Sequence, residues 1–256
     1  QNINMHGKNK TICIAGKNRC AIECLSYVIK KYKNSQILAL PNVSDHGLDG
    51  WQKSFKKFAL KKKVTITSLK DLYKMKNLYF FSLEYEEILE VKKFISKNLF
   101  NFHFSLLPKY RGCHTNYYQI LNGEKKTGVT LHEIDKGIDT GKIIDALSFK
   151  IHINTSAYQN YLNLLDKSVI LFKKNINKIL NNNFLSKKQN LKKGSYYSRK
   201  SVNYEKLINF HKLTHNLKTH NRIRSLIFHP FQLPIYNDKK ITKSIFKNKK
   251  IKLIYL

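Results

Sequence analysis

The chain has 256 residues, 42% hydrophobic and 25% charged, which excludes wholesale disorder and allows a substantial buried core. Its 48 Lys and Arg against 16 Asp and Glu leave a formal net charge of +32, which asks for an anionic partner such as nucleic acid or a pyrophosphate-linked substrate. Lys, Asn, Ile and Tyr are abundant together and the lysines are dispersed, so coding bias accounts for the larger part of that excess.

No apolar run approaches the roughly 18 residues that span a bilayer. The polar start Gln1-Asn2-Ile3-Asn4 lacks the apolar core of a signal peptide, so the expectation is a soluble, cytoplasmic protein with no membrane partner. Residues 1–8 read as a tag or disordered start, with Met5 a candidate native first residue. Thr11 to Ala15 is a short apolar run, Gly16 turns the chain, and Cys20, Ala21, Cys24, Leu25, Val28, Ile29 and Tyr32 recur at helical spacing. No G-x-G-x-x-G follows, which argues against a dinucleotide cofactor. Ile37 to Leu40 is a second strand, Trp51 to Leu60 a helix, Leu78 to Leu83 a third strand and Ile88 to Ile95 another helix. Phe100 to Phe104 reads as a strand on which Asn101 and His103, two apart, share one side.

Thr127 to Ile134 and Ile143 to Ile153 read as strands bracketing a Gly-flanked loop. Tyr158 to Leu180 is a long amphipathic helix capped by Thr155 or Ser156. After Asn181-Asn182-Asn183 the basic run from Lys187 to Lys193 marks a boundary. The tail holds a helical piece around Tyr204 to Leu217, another from Ile223 to Phe231, and two short strands around Asn237-Asp238. The fold class is therefore α/β: a Rossmann-like, mostly parallel sheet flanked by helices over residues 9–186, with a small C-terminal α+β region over 187–256. Cys13, Cys20, Cys24 and Cys113 form no C-x-x-C pair and read as buried apolar residues in a reducing compartment. No two histidines stand at ligand spacing with a supporting carboxylate, so no metal site is expected.

Chemistry concentrates in Asn101-Phe102-His103-Phe104-Ser105-Leu106-Leu107-Pro108 and Asp135-Lys136-Gly137-Ile138-Asp139-Thr140-Gly141. Together they supply an amide, an imidazole and a carboxylate, which suffice for acyl transfer to an amine. Of the three, His103 alone changes protonation near neutral pH, so proton transfer falls to it. The Asn101 amide can donate to a developing oxyanion, and Asp139 can orient and charge-stabilise His103 or accept a proton through water as the intermediate collapses. The first segment resembles the N-x-H-x-S-L-L-P signature of the folate-dependent formyltransferases, with Gly112 four residues past Pro108, and the second resembles the loop that carries their catalytic aspartate. The resemblance is close over residues 78–145. It implies 10-formyltetrahydrofolate as formyl donor, with the backbone near Phe81, Ser82 and Leu83 and the loop residues Gly137, Ile138 and Asp139 lining its pocket. His114, near the motif, is a weaker candidate for substrate contact.

Within residues 9–60, Ile14-Ala15-Gly16-Lys17-Asn18 and Trp51-Gln52-Lys53-Ser54 are similar to the N-formyltransferases that act on dTDP-linked amino-dideoxysugars. Asn221-Arg222-Ile223-Arg224-Ser225-Leu226 and His229-Pro230-Phe231 are similar to their short C-terminal segment, whereas residues 184–220 match no pattern. The glycinamide ribonucleotide enzymes leave the tail unexplained, and the methionyl-tRNA enzymes are longer. The resemblance implies dTDP-4-amino-4,6-dideoxyglucose as acceptor, a product for a surface polysaccharide (lipopolysaccharide, O-antigen) and a homodimer pairing through Ile251 to Leu256. Lys17, Asn18, Trp51, Lys109, Arg111, Arg222 and Arg224 are its candidate sugar-nucleotide contacts, the arginines because a guanidinium forks onto two phosphate oxygens. A methionyl-tRNA formyltransferase and a non-catalytic nucleic-acid-binding protein on the same scaffold are the alternatives.

Overall fold

The computed structural model describes residues 10–256, so the expectation for residues 1–8 lies outside the described residues. In chain order the elements are β1 (Thr11–Gly16), α1 (Asn18–Lys31), β2 (Gln36–Pro41), α2 (Phe55–Lys61), β3 (Thr65–Ile66), α3 (Leu69–Tyr73), β4 (Leu78–Leu83), β5 (Leu99–His103), β6 (Arg111–Gly112) and α4 (Thr115–Leu121). They continue with β7 (Lys126–Glu133), β8 (Ile143–Lys150), α5 (Ala157–Leu180), β9 (Tyr196–Tyr197), α6 (Tyr204–Leu207), β10 (Asn209–Phe210), α7 (Leu217–Leu226), β11 (Ile235–Tyr236), β12 (Lys239–Lys247) and β13 (Lys250–Tyr255). The chain forms two compact units, one comprising residues up to His103, Val129–Leu147 and Leu165–Gln189, the other Phe104–Gly128, Ser148–Leu164 and Asn190–Leu256.

The first unit is built on a sheet of order β3-β2-β1-β4-β5-β7-β8. β3, β2, β1, β4 and β5 pair in parallel, and β7 joins β5 antiparallel. β1 and β4 are buried along their whole length, as continuous apolar strands covered on both faces must be. One face packs Cys13, Ala15, Leu38, Leu40, Leu78, Phe80 and Leu99 against Leu72 and Phe94. Elsewhere in the core Phe81 meets Phe100 at 5.5 Å and Phe172 of α5 at 5.3 Å. Cys13, Cys20 and Cys24 are buried free thiols, and desolvation pushes the Cys13 thiol well up from its ordinary value. Gly16 makes the first turn possible, because a Cβ there would lie 1.9 Å from the Leu83 carbonyl oxygen.

Several elements differ from the sequence expectation. Ile88 to Ile95 contains only a three-residue 3-10 turn, Val91–Lys93. Ile88 and Ile95 are 79% and 53% exposed while Phe94 between them is buried in the core, so the apolar residues of the stretch do not share one buried helical face. The helix expected from Trp51 begins at Phe55, where the Ser54 hydroxyl caps it by accepting from Lys57 N at 2.9 Å. α5 starts after Ser156, whose hydroxyl accepts from Gln159 N while Gln159 Oε1 accepts from Ser156 N, a reciprocal capping box.

In the second unit the helix expected over Tyr204 to Leu217 stops at Leu207, and α7 starts at Leu217 behind the Asn216 cap. Tyr117, Phe210, Ile223, Leu226, Ile227 and Ile241 form its core. Asn237 and Asp238, at φ of 49° and 58°, turn β11 into β12. Asn248 and Lys249, at 51° and 57°, make a second hairpin that pairs Ile251 to Tyr255 with β12 of the same chain. Among the described residues no helix is long and apolar enough to cross a membrane, and no group of three or more His, Cys, Asp or Glu is placed to hold a metal ion.

Candidate active site

β5 alternates Phe100 and Phe102, which pack on the rings of Phe81 and Phe172, with Asn101 and His103 on the other side. The antiparallel register puts His132 of β7 directly opposite Asn101. The loop between β7 and β8 then returns Asp139 to the same place. Asp139 Oδ2 lies 3.3 Å from His103 Nδ1, and its Oδ1 lies 3.2 Å from Asn101 Nδ2 and 3.4 Å from His132 Nε2. Of the three residues singled out from the sequence, Asn101 and His103 thus both contact Asp139 inside the first unit. The side chains of His103, Asp139 and His132 are only 8%, 11% and 3% exposed.

A carboxylate so buried is tolerable only when donors surround it, and the site supplies the Asn101 amide and the His103 imidazole. With Nδ1–H donated to Asp139, Nε2 is the other ring nitrogen through which His103 can exchange a proton. His132 is fixed differently. Its Nδ1–H donates to the Glu133 carbonyl at 2.7 Å, so neutral Nε2 accepts from Asn101 Nδ2 at 3.2 Å. Asn101 Nδ2 therefore points both its hydrogens at neighbours, and donation to an oxyanion requires one of these long bonds to be given up.

The loop is held from within and from outside. Asp135 Oδ1 accepts from Gly137 N at 3.0 Å and from the Thr140 hydroxyl at 2.6 Å. From outside, Gln189 Nε2 donates to the carbonyls of Asp139 and Gly141. His132 and Gln189 carried no sequence signal. His132 is one residue in an alternating strand, and Gln189 sits at the basic run read as a boundary.

The formyl transferase family model matches residues 84–176. An N-formyltransferase of Helicobacter canadensis, crystallised with folinic acid and dTDP-3-aminofucose, is 46% identical with a TM-score of 0.88, over 93% of this chain and 88% of that one. This chain belongs to the formyltransferase family. WlaRD, described as a sugar 3N-formyl transferase and crystallised with dTDP and 5-N-formyl-THF, is likewise 46% identical with a TM-score of 0.88, covering 93% of this chain and 87% of that one. The bifunctional polymyxin resistance protein ArnA of Wigglesworthia glossinidia brevipalpis is 36% identical over 155 residues, 56% of this chain and 24% of that protein. The chain spans about a quarter to a half of the length of the curated relatives it matches.

The remaining candidate residues of this formyltransferase fall in different places. Lys17 and Asn18 lie just past the carboxyl end of β1, where Asn18 Nδ2 is 3.5 Å from Glu84 Oε2 beyond β4. Trp51 follows β2 and is 42% exposed. All three sit at the edge where parallel sheets bind ligands. Ile138, 39% exposed, presents an apolar side chain next to Asp139. The backbone of Phe81 and Ser82 pairs with β1 and β5, and that of Leu83, the last residue of β4, pairs with Gly16 of β1.

In the second unit Lys109 pairs with Glu124 at 3.7 Å, and the Arg222 guanidinium stands 4.6 Å from the Phe210 ring centre. The Nε of Arg111 is buried with no hydrogen-bond partner among the described residues. Arg224 is corrected to a structural role. It is 3% exposed and donates to Asn221 Oδ1 and to the carbonyls of His152 and Thr155. Its guanidinium, with burial pushing its pKa down to about 10, holds a turn. His114 is similarly occupied, by the Tyr204 hydroxyl at 3.1 Å and the Arg199 carbonyl at 2.8 Å.

Proposed function

We propose that this formyltransferase moves a formyl group from 10-formyltetrahydrofolate to the primary amine of a dTDP-linked amino-dideoxyhexose. The observation that carries the reading is the contact of Asn101, His103 and Asp139 around one buried carboxylate. Formyl transfer forms one C–N bond at the acceptor amine, breaks one at the donor nitrogen, and moves one proton from the first nitrogen to the second. His103 Nε2 takes and returns that proton, and Asp139 holds the ring and balances its charge when protonated. Asn101 Nδ2 donates to the oxygen on which negative charge develops.

The residues fit the donor. The loop 135–138 is exposed, and Ile138 offers apolar contact to a flat ring next to the catalytic carboxylate. When bound, 10-formyltetrahydrofolate supplies the formyl group. Lys17, Asn18 and Trp51 would hold the acceptor.

The sequence resemblance pointed to dTDP-4-amino-4,6-dideoxyglucose. The two 46% identical relatives, one crystallised with dTDP-3-aminofucose and one described as a 3N-formyl transferase, move our proposal to an amine on C3. We further place the product in surface-polysaccharide synthesis, the enzyme in the cytoplasm, and the active form as a homodimer.

The test is incubation with 10-formyltetrahydrofolate and, separately, the 3-amino and 4-amino dTDP-dideoxyhexoses, followed by mass spectrometry. A gain of one formyl group on the 3-amino sugar, lost in His103→Asn, is expected. Formylation of the 4-amino sugar alone would restore the original expectation, and formylation of charged initiator tRNA alone would overturn the sugar reading.

A further inference from the structure

We infer that Gln189 is a positioning residue for the formyl-transfer site, setting the carboxylate of Asp139 through the backbone. The inference rests on the role proposed for Asp139. Asp139 has φ of 53°, in the left-handed region that L-residues adopt only where something over-determines it. Its neighbour Gly141 is equally constrained, because a Cβ there would fall 1.7 Å from the Glu133 carbonyl oxygen. Gln189 Nε2 bridges this pair, donating to Asp139 O at 2.9 Å and Gly141 O at 2.7 Å.

The clamp has a rigid base. Two residues upstream, Lys187 exchanges both backbone hydrogen bonds with Ile143, each 2.8 Å, so the segment is fastened to the start of β8. The amide orientation follows from the acceptors, since the reversed amide would set Oε1 against two carbonyl oxygens. As placed, Oε1 is buried without a hydrogen-bond partner among the described residues, so the side chain is arranged for its two donations and not for its own full satisfaction.

The consequence is catalytic geometry. The carbonyl and carboxylate of Asp139 turn on the same φ and ψ, so release of the carbonyl lets the carboxylate leave His103 and Asn101. Misplacing a reacting group by about 1 Å costs on the order of a hundredfold in rate. Asp135 secures Gly137 and Thr140, and Gln189 is a long-range contact on the backbone of Asp139.

The test compares Gln189→Met, similar in size but without donors, with Asp139→Ala and wild type in steady-state formyl transfer and thermal unfolding. Gln189→Met is expected to lose roughly ten- to a hundredfold in kcat, with KM for both substrates within about twofold and a near-unchanged Tm. Gln189→Asn, whose amide falls short of the bridge, should show the same loss and replaces Gln189→Met if that variant does not fold. A wild-type kcat with Asp139→Ala inactive overturns this inference alone, as does a lowered Tm with full kcat per folded enzyme. Full activity in Asp139→Ala overturns the role given to Asp139 and the inference with it.

Discussion

Asn101, His103 and His132 all gather around the Asp139 carboxylate, and this decides what each substitution does. Asp139 accepts from Asn101 at one oxygen and from His103 at the other, with His132 Nε2 3.4 Å from the first. His103→Asn removes the proton carrier and should lower kcat/KM by roughly 10²–10⁴-fold. Asn101→Ala removes one oxyanion donor and should cost about 10²–10³ in kcat with little change in KM. His132→Gln should cost less, about tenfold, because His132 acts by seating Asn101 and Asp139 rather than by moving a proton. Stopped-flow or coupled steady-state assays of the three variants, with unchanged circular dichroism as the control, check this order. A loss in His132→Gln equal to that in His103→Asn would assign both imidazoles to proton transfer.

Two elements convert local geometry into measurable behaviour. In the loop joining β7 and β8, Gly141→Ala cannot be accommodated by a side-chain shift, since the obstacle is the Glu133 backbone carbonyl. We expect formyl transfer to fall at least a hundredfold while the sheet survives, read by activity alongside far-ultraviolet circular dichroism. In α7, His220 is buried, with Nδ1 accepting from the Ser244 hydroxyl and Nε2–H donating to Ile153 O, each at 2.8 Å. Burial holds its pKa below the ordinary 6.5, and the nearby Arg224 guanidinium acts in the same direction. The unfolded chain therefore binds the extra proton first. Stability is complete above pH 6.5 and is lost as the pH falls through the window between 6.5 and the lower folded value. Urea midpoints at about pH 7.5 and 5.5 should differ less in His220→Gln than in wild type, the variant being weaker at the higher pH by about 1–3 kcal/mol. An identical slope in both would remove His220 as the cause.

At the scale of the whole molecule, the +32 charge does not by itself choose a partner. The contact of Asn101, His103 and Asp139 opposes the reading of a non-catalytic nucleic-acid-binding protein, because a decayed scaffold has no reason to keep a buried carboxylate compensated. β13 stands at the end of the order β10-β11-β12-β13, and Ile254, Tyr255 and Leu256 remain 39%, 37% and 86% exposed after pairing with β12. If the proposed homodimer covers this strip, light scattering at micromolar concentration should give twice the mass of 30.1 kDa. A monomer there, or a dimer untouched by Ile254→Asp, would place the interface elsewhere or remove it.

The sequence by itself determined the elements with strong local signals: the apolar strands β1 and β4, the amphipathic α5, and the segments carrying Asn101, His103 and Asp139. Its resemblance to the formyltransferases rested on residues adjacent in the chain, where period-two alternation and Gly-flanked turns are legible without a partner. Only the tertiary structure decided what depends on register and burial. The antiparallel pairing of β5 with β7 makes His132 a neighbour of Asn101, and the Ile143 to Lys187 bridge brings Gln189 to a loop some 50 residues back. Burial turned Arg224 from a phosphate ligand into a brace, and exposure of Ile88 and Ile95 left a helical-looking stretch without a helix. A residue's type states what it can bond. Which bond it makes is set by neighbours distant in sequence, and pairing and packing assemble those neighbours only when the whole chain folds.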